Sequence, residues 1–436
     1  MFSIPKQSLF LFSVLALAVC DVARAVAVRP RAPGSSFPEL KLRQTNGTYT
    51  PVTGCRGGVA DRRNIIELQE NDPDIFDMFV RAMRDLQDDM ENEDTSYYQV
   101  AGIHGFPYVG WQEDEDFTPP NPGRGYCTHG SAIFTTWHRP YLLLQEQLLC
   151  EKARDIAGAA NGTYGAQRWQ DAAERVRLPY WDWSASESES RIPDVMKQTS
   201  ITVNGPEGPE TFENPLFNYD FLNPQPPESR LGEETIRGGS DDQLAADFEN
   251  RRLATLNLFT VDQYNQFSRD LEQIHNAVHG GVGGDMSWVA RSSFDPIFYM
   301  HHTNVDRLMA MYQATHPGEV LTPAPRSPTY ALGGPGPDDL DTRLYPFRHP
   351  DLSGWTSNDV ATADSTFEYG YSYPEVPQGL GQQELIDFTT RRVRELYAPQ
   401  PEEEEEAVVF KDAVKSGVAE SKLFSPLWMH SCSVKV

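Results

Sequence analysis

The stretch Ile274-His275-Asn276-Ala277-Val278-His279, followed by Asp295-Pro296-Ile297-Phe298-Tyr299-Met300-His301-His302-Thr303-Asn304-Val305-Asp306-Arg307-Leu308, decides how this chain is read. His275 and His279 lie at i and i+4. On a helix this puts their Cβ atoms on one face about 6 Å apart, so both rings can reach one ion. A second set stands upstream, His104, His129 and His138, the last within Trp137-His138-Arg139-Pro140-Tyr141. Seven of the ten histidines fall in these two regions. Neutral imidazole suits copper, zinc, iron and nickel. Two groups of three nitrogens, with no thiolate or carboxylate evidently interleaved, point to a pair of ions, with copper the best candidate.

Four helices carry the pattern. Asp72-Pro73 opens the first, with Ile75, Phe79, Ala82/Met83, Leu86 and Met90 at helical spacing. A second is expected from Pro140, so that His138 sits at its entry. The third is bounded by a capping box at Thr260-Val261-Asp262-Gln263 and a stop at Gly280-Gly281. The fourth begins at Asp295-Pro296, runs to about Thr315 and presents His302 from its second turn. The fold class is therefore mainly α: a four-helix bundle core with a metal site between facing helices, long surface loops at 184–250 and 317–370, and few short strands.

At 436 residues, with 39% hydrophobic residues, eight Trp, 18 Tyr and 22 Phe, the chain can build a sizeable core. Its net charge of −26 argues against nucleic acid or an anionic membrane as partner and fits neutral or cationic small substrates. Residues 1–25 read as a secretory signal peptide, with Lys6, an apolar run from Leu9 to Val19 and Ala23-Arg24-Ala25 as cleavage site. Secretion would make Asn46 and Asn161, each in an Asn-Gly-Thr sequon, glycosylation acceptors. Residues 26–398 form the catalytic-size domain. Residues 399–436 are an acidic linker, Glu402–Glu406, and a tail whose apolar patch Leu423-Phe424-Ser425-Pro426-Leu427-Trp428-Met429 would dock on the core or cover the site. Oligomeric state is left open.

The chain resembles the tyrosinase and catechol oxidase family of dicopper proteins, in its short secreted fungal type. His-Arg-Pro-Tyr at 138–141, Pro-Tyr-Trp-Asp-Trp at 179–183, Asp-Pro-Ile-Phe at 295–298 and His-His-x-Asn-Val-Asp-Arg-Leu at 301–308 carry the likeness, which runs from about residue 50 to residue 375. It implies one copper on His104, His129 and His138 and a second on His275, His279 and His302, with His301 structural and O2 as co-substrate. It further implies that Glu272 and Asn276 hold a water that takes a phenol proton, and that Val289 lids the second copper while leaving room for a ring. Phe134 and Phe298 would stiffen the imidazoles, Asp306 and Arg307 would tie helices together, and Tyr371-Ser372-Tyr373 would close the core against Arg62 or Arg63. The implied activity is oxidation of small phenols, by ortho-hydroxylation, and/or of o-diphenols to o-quinones. An o-aminophenol oxidase or a secondary-metabolite tailoring oxidase would use the same site, and haemocyanin-like O2 binding is the non-enzyme alternative. The family's long fungal members carry a sizeable C-terminal domain that plugs the site, and the shorter tail here puts such latency in doubt.

Cysteine use is the least determined feature. Cys20 leaves with the signal peptide, and Cys55, Cys127, Cys150 and Cys432 remain. An even count invites disulfides in an oxidising compartment. The resemblance assigns Cys127 to a thioether with His129, which leaves three cysteines with pairing open, Cys432 to Cys55 being one option.

Overall fold

The computed structural model describes residues 49–399, apart from 115–116, 163–164 and 206–207. The signal segment, Asn46 and the tail with Cys432 lie outside the described residues.

Six helices organise the domain: α1 (Pro73–Gln87), α2 (Tyr97–His104), α3 (Phe134–Ala159), α4 (Tyr264–Val282), α5 (Ile297–Thr315) and α6 (Gln382–Tyr397). The long α3 packs against α1, α4 and α5, and α5 packs against α3, α4 and α6. Strands are short and peripheral among the described residues, as in the hairpin Ser200–Val203 with Glu210–Glu213. The architecture is mainly α, as expected.

Local signals placed some helix ends correctly. Pro73 opens α1, where its missing N–H costs nothing. The carboxylate of Asp72 makes no cap and pairs with Arg63 instead. Ile75 to Leu86 are buried, but Met90 lies past the helix end and is 56% exposed. At α5, Asp295 Oδ1 accepts from the Ile297 N–H (3.1 Å), so this carboxylate does cap the helix.

Three boundaries differ from expectation. Helix α3 starts at Phe134, six residues before Pro140, and Pro140 lies inside it. Its first turns are held by tertiary contacts that override the proline: Trp137 Nε1 donates to the Tyr345 carbonyl (2.7 Å) and Arg139 Nε to Asp306 (2.6 Å). Thr260 forms no capping box, because its hydroxyl donates back to the Asn257 carbonyl (2.8 Å) and closes the preceding helix; α4 begins at Tyr264. The helix then runs through Gly280-Gly281 and stops at Gly283, whose φ of +71° is the left-handed conformation glycine tolerates. Gly281 serves close packing, since a Cβ there would lie 2.5 Å from Leu244.

One buried carboxylate joins the layers. Asp306, on α5, accepts from Arg62 Nη1 (3.0 Å), Arg139 Nε (2.6 Å), Tyr371 OH (2.9 Å) and Tyr373 OH (2.6 Å). Burial alone would raise its carboxyl, but Arg139 and then Arg62 hold it below the usual carboxylate range. Arg62 also donates to Glu146 of α3 (2.7 Å). It reaches the interior because strands β1 (Ala60–Asp61) and β2 (Tyr371–Ser372) pair in parallel beside it. Arg62, not Arg63, is thus the partner of the tyrosine motif. Arg307 does the same for the aromatic segment, pairing with Asp182 (2.8 Å) and Glu375 (2.8 Å) over the Tyr180 ring.

Cys55 pairs with Cys150, which corrects the Cys55–Cys432 option. The pairing ties the chain ahead of β1 to α3, where both thiols are buried. A bridge closing a loop of 95 residues restricts the unfolded chain strongly. Replacing both cysteines by serine is expected to lower unfolding free energy by about 2–5 kcal/mol in urea titration, with the native helical content retained.

Candidate metal centre

The first triad is assembled from a helix end, a loop and a helix start. His104 is the last residue of α2, whose N-terminus is capped by Ser96. Gly105 follows it because a Cβ there would sit 2.4 Å from Ala290 Cα. His129 precedes α3, and Gly130 at φ +61° turns the chain after it. His138 comes from the second turn of α3. The three ring centroids form a near-equilateral triangle, 5.4 Å (His104–His129), 5.6 Å (His129–His138) and 5.6 Å (His104–His138).

The second triad joins α4 and α5. His302 Nε2 lies 3.2 Å from His275 Nε2 and 3.4 Å from His279 Nε2. His138 Nε2 and His104 Nε2 are 3.5 Å apart in the first. The tautomers follow from the other nitrogens. Nδ1 of His104 faces the Val289 carbonyl (2.9 Å), that of His138 the Phe134 carbonyl (2.7 Å) and that of His279 the Met286 carbonyl (2.7 Å). A carbonyl only accepts, so each of these Nδ1 atoms carries the proton and each Nε2 a lone pair. His275 Nδ1 meets Asn276 Oδ1 (3.1 Å) in the same sense.

Burial, and then neighbouring imidazoles, push all six rings well below the ordinary histidine pKa; His279 falls to about 4 through burial and His138 to about 3. The rings are neutral, and the Nε2 lone pairs of His104, His138, His275 and His279 face inward. Three nitrogens each about 2.0–2.1 Å from one ion stand about 3.2–3.4 Å apart. The second triad therefore fits a metal ion, and its all-imidazole donor set fits copper or zinc.

His301 belongs to neither convergence. Its ring stacks on His275 (4.9 Å, 17°) and meets His279 edge-on (4.7 Å), near Trp183. Both its nitrogens are buried without a hydrogen-bond partner among the described residues. A donor nitrogen of His301 does fall within 4.8 Å of those of His275, His279 and His302, but the tighter Nε2 approach is that of His302.

Two phenylalanines lock both triads at once. Phe298 packs on His302 (4.0 Å) and, edge-on, on His104 (4.9 Å). Phe134 packs on His138 (4.9 Å), His275 (4.9 Å) and His129 (5.6 Å). Each was expected to brace a single ligand; each bridges the pair.

Two further ties cross between the halves. Met286 and Val289, three residues apart, offer carbonyls to one ring of each triad, a role that side-chain patterns cannot signal. Val289 was expected to lid the second site; its carbonyl orients His104, and its side chain is 44% exposed. Glu272 Oε1 accepts from the Gly130 N–H (2.7 Å), fastening α4 to the His129 loop. Burial raises the Glu272 carboxyl to about 7, against the lowering effect of that N–H. His129 and His279 are the partly exposed members of the six, and Asn276 is exposed beside them, so the centre opens there.

Cys127 forms no disulfide among the described residues, and its sulfur lies close to the donor nitrogens of His104 and His129. Asn161 is exposed on the surface. His316 and His349 lie outside both triads, half-buried and stacked on Tyr312 (4.4 Å) and Trp355 (4.6 Å).

Six neutral imidazoles, four buried and two (His129 and His279) partly exposed, are thus gathered in two groups between the helices. The family model described as the common central domain of tyrosinase matches residues 94–315, half of the chain and all six rings. The chain belongs to the tyrosinase family. It is 35% identical over 374 residues to a tyrosinase of Podospora anserina, covering 76% of this chain and 65% of that protein. It is 32% identical to polyphenol oxidase 4 of Agaricus bisporus, covering 74% and 57%. The solved structure of a recombinant mushroom tyrosinase superposes with a TM-score of 0.74 at 29% identity, covering 80% of this chain and 68% of that one. The chain thus spans less than two thirds of the length of these curated relatives.

Proposed function

We propose that His104, His129 and His138 hold one copper ion and His275, His279 and His302 a second. The protein would then use O2 to oxidise small phenols, by ortho-hydroxylation and/or by converting o-diphenols to o-quinones. The observation that carries this reading is the meeting of imidazole Nε2 atoms at 3.2–3.5 Å in a buried space. A bound copper pair supplies the electrons that O2 chemistry on a phenol needs, which redox-silent zinc does not.

The remaining work falls to this chain. Carbonyls of Phe134, Met286 and Val289 fix the tautomers. Phe134 and Phe298 keep water from the far side of the rings. The mouth at His129, His279 and Asn276 admits a flat ring, and Val289 leaves it room.

Glu272 and Asn276 are one turn apart on α4, and both are anchored through one oxygen: Glu272 to Gly130, Asn276 to His275. The second Glu272 oxygen and the Asn276 amide nitrogen are left to hold a water. A phenol with pKa near 10 must lose its proton to bind a metal as phenolate. A carboxyl near 7 is matched to receive it through that water at neutral pH.

We assign Cys127 to a thioether with a ring carbon of His129: the S–H and ring C–H bonds break, the S–C bond forms, and two protons and two electrons pass to O2, giving H2O2. The bond would tether the most exposed ring of its triad. The Cys55–Cys150 disulfide supports an extracellular setting, where such bridges persist, and no helix among the described residues is long and apolar enough to cross a membrane. Exposed Asn161 is open to glycosylation in that setting.

Glu272→Gln keeps an acceptor for the Gly130 N–H while removing the base. It is expected to slow monophenol hydroxylation roughly 10²–10⁴-fold and catechol oxidation far less, measured as oxygen uptake on tyrosine and catechol in parallel. Equal losses on both would reduce Glu272 to an anchor for the His129 loop. For Cys127, the single tryptic peptide that contains both Cys127 and His129 should weigh two hydrogens less than calculated and resist reduction. An alkylatable thiol at Cys127 in active protein would refute the crosslink.

A further inference from the structure

Trp288 and Val289 are among the large apolar side chains most exposed on the described surface, at 48% and 44%. They sit on the segment whose Met286 carbonyl holds His279 and whose Val289 carbonyl holds His104. The exposed indole therefore stands beside the mouth of the metal centre. Ile236, 59% exposed, lies on the adjoining strand of chain, with its carbonyl bonded to the Asp285 N–H (2.8 Å).

Two guanidinium groups flank this indole. The Arg291 guanidinium carbon is 5.2 Å from the Trp288 ring centroid and that of Arg230 is 6.0 Å away. Their situations differ. Arg291 is neutralised by Asp285 (3.0 Å) and donates to the Arg230 carbonyl (2.6 Å), so its charge is spent on structure. That bond also holds Arg230 in a left-handed conformation, φ +56°, which a non-glycine residue adopts only when its surroundings require it. Arg230 itself is exposed and has no carboxylate partner among the described residues. Beside the exposed indole, the Arg230 guanidinium is available to pair with an anion from solvent.

We infer that Trp288 and Arg230 form a recognition edge for phenols that carry a carboxylate on the side chain opposite the hydroxyl. This inference rests on the phenol-oxidising reading of the metal centre. The substrate's apolar linker lies on the indole, its carboxylate pairs with the Arg230 fork, and its hydroxyl end enters between His129 and His279. An aromatic face beside a guanidinium suits such a ligand, because the indole excludes water from the ion pair and so strengthens it. The overall charge, which alone favours neutral or cationic substrates, is thereby offset at this one edge.

The test measures binding separately from turnover. Copper-loaded protein, kept anaerobic, is titrated by calorimetry with 3-(4-hydroxyphenyl)propionate and with its methyl ester. The acid is expected to bind about fivefold more tightly than the ester, the scale of one partly exposed ion pair. Arg230→Gln should bring the ratio to about one, and Arg230→Lys should restore part of it, which a structural role of Arg230 would not do. Equal binding of acid and ester by the unaltered protein, or a preference that survives Arg230→Gln, overturns the inference. Oxygen uptake with 4-methylcatechol, which has no carboxylate, tests the parent reading separately. A preference for the acid without any catechol oxidation would leave the edge standing and remove the oxidase reading.

Discussion

Lone pairs of neutral imidazoles repel one another, and this protein brings them together in a space that water scarcely reaches. Everything else about the centre follows from keeping them there. A histidine free to rotate would turn its lone pair away or take up a proton. Here the protonated Nδ1 atoms are held by carbonyls of Phe134, Met286 and Val289, and burial holds the rings neutral. A cation at the focus would draw those lone pairs together. Because Phe134, Phe298 and the Met286–Val289 segment each touch both triads, the two metal positions are built as one object.

The bundle around the centre is fixed by charge as well as by packing. Asp306 lies one turn beyond His302 and Arg139 directly follows His138, so their bond sets α5 against α3 beside the ligands they carry. Arg62 adds a third partner from outside the bundle. A buried carboxylate with four donors is held to one geometry, and removing Arg62 or Arg139 leaves part of its charge uncompensated. That makes the network a device for register, holding the helices where six rings meet.

Much of the centre was legible in the sequence because its chemistry lies in side chains with fixed spacing. The i, i+4 pair His275 and His279, the helix start at Asp295-Pro296 and the Asp-Arg run after His302 could each be read locally, and the structure places them as expected. What could not be read depended on contacts distant in sequence. Pro140 sits inside α3 because Trp137 and Arg139 are bonded to Tyr345 and Asp306, and no local propensity records that. Cys150, one of several possible partners, is chosen for Cys55 by the path of the chain ahead of β1. The carbonyls of Met286 and Val289 leave no signature, since every residue has one. Phe134 and Phe298 were recognisable as neighbours of ligands, but not as bridges between the triads.

The central claim is that two copper ions occupy the two triads close enough to act together. Electron paramagnetic resonance with metal analysis on one copper-loaded, oxidised sample tests it most directly. The expected result is two coppers per chain and a spin signal far below the total copper, because paired Cu(II) ions couple. One copper per chain, a full-intensity Cu(II) signal, or zinc in place of copper would contradict it.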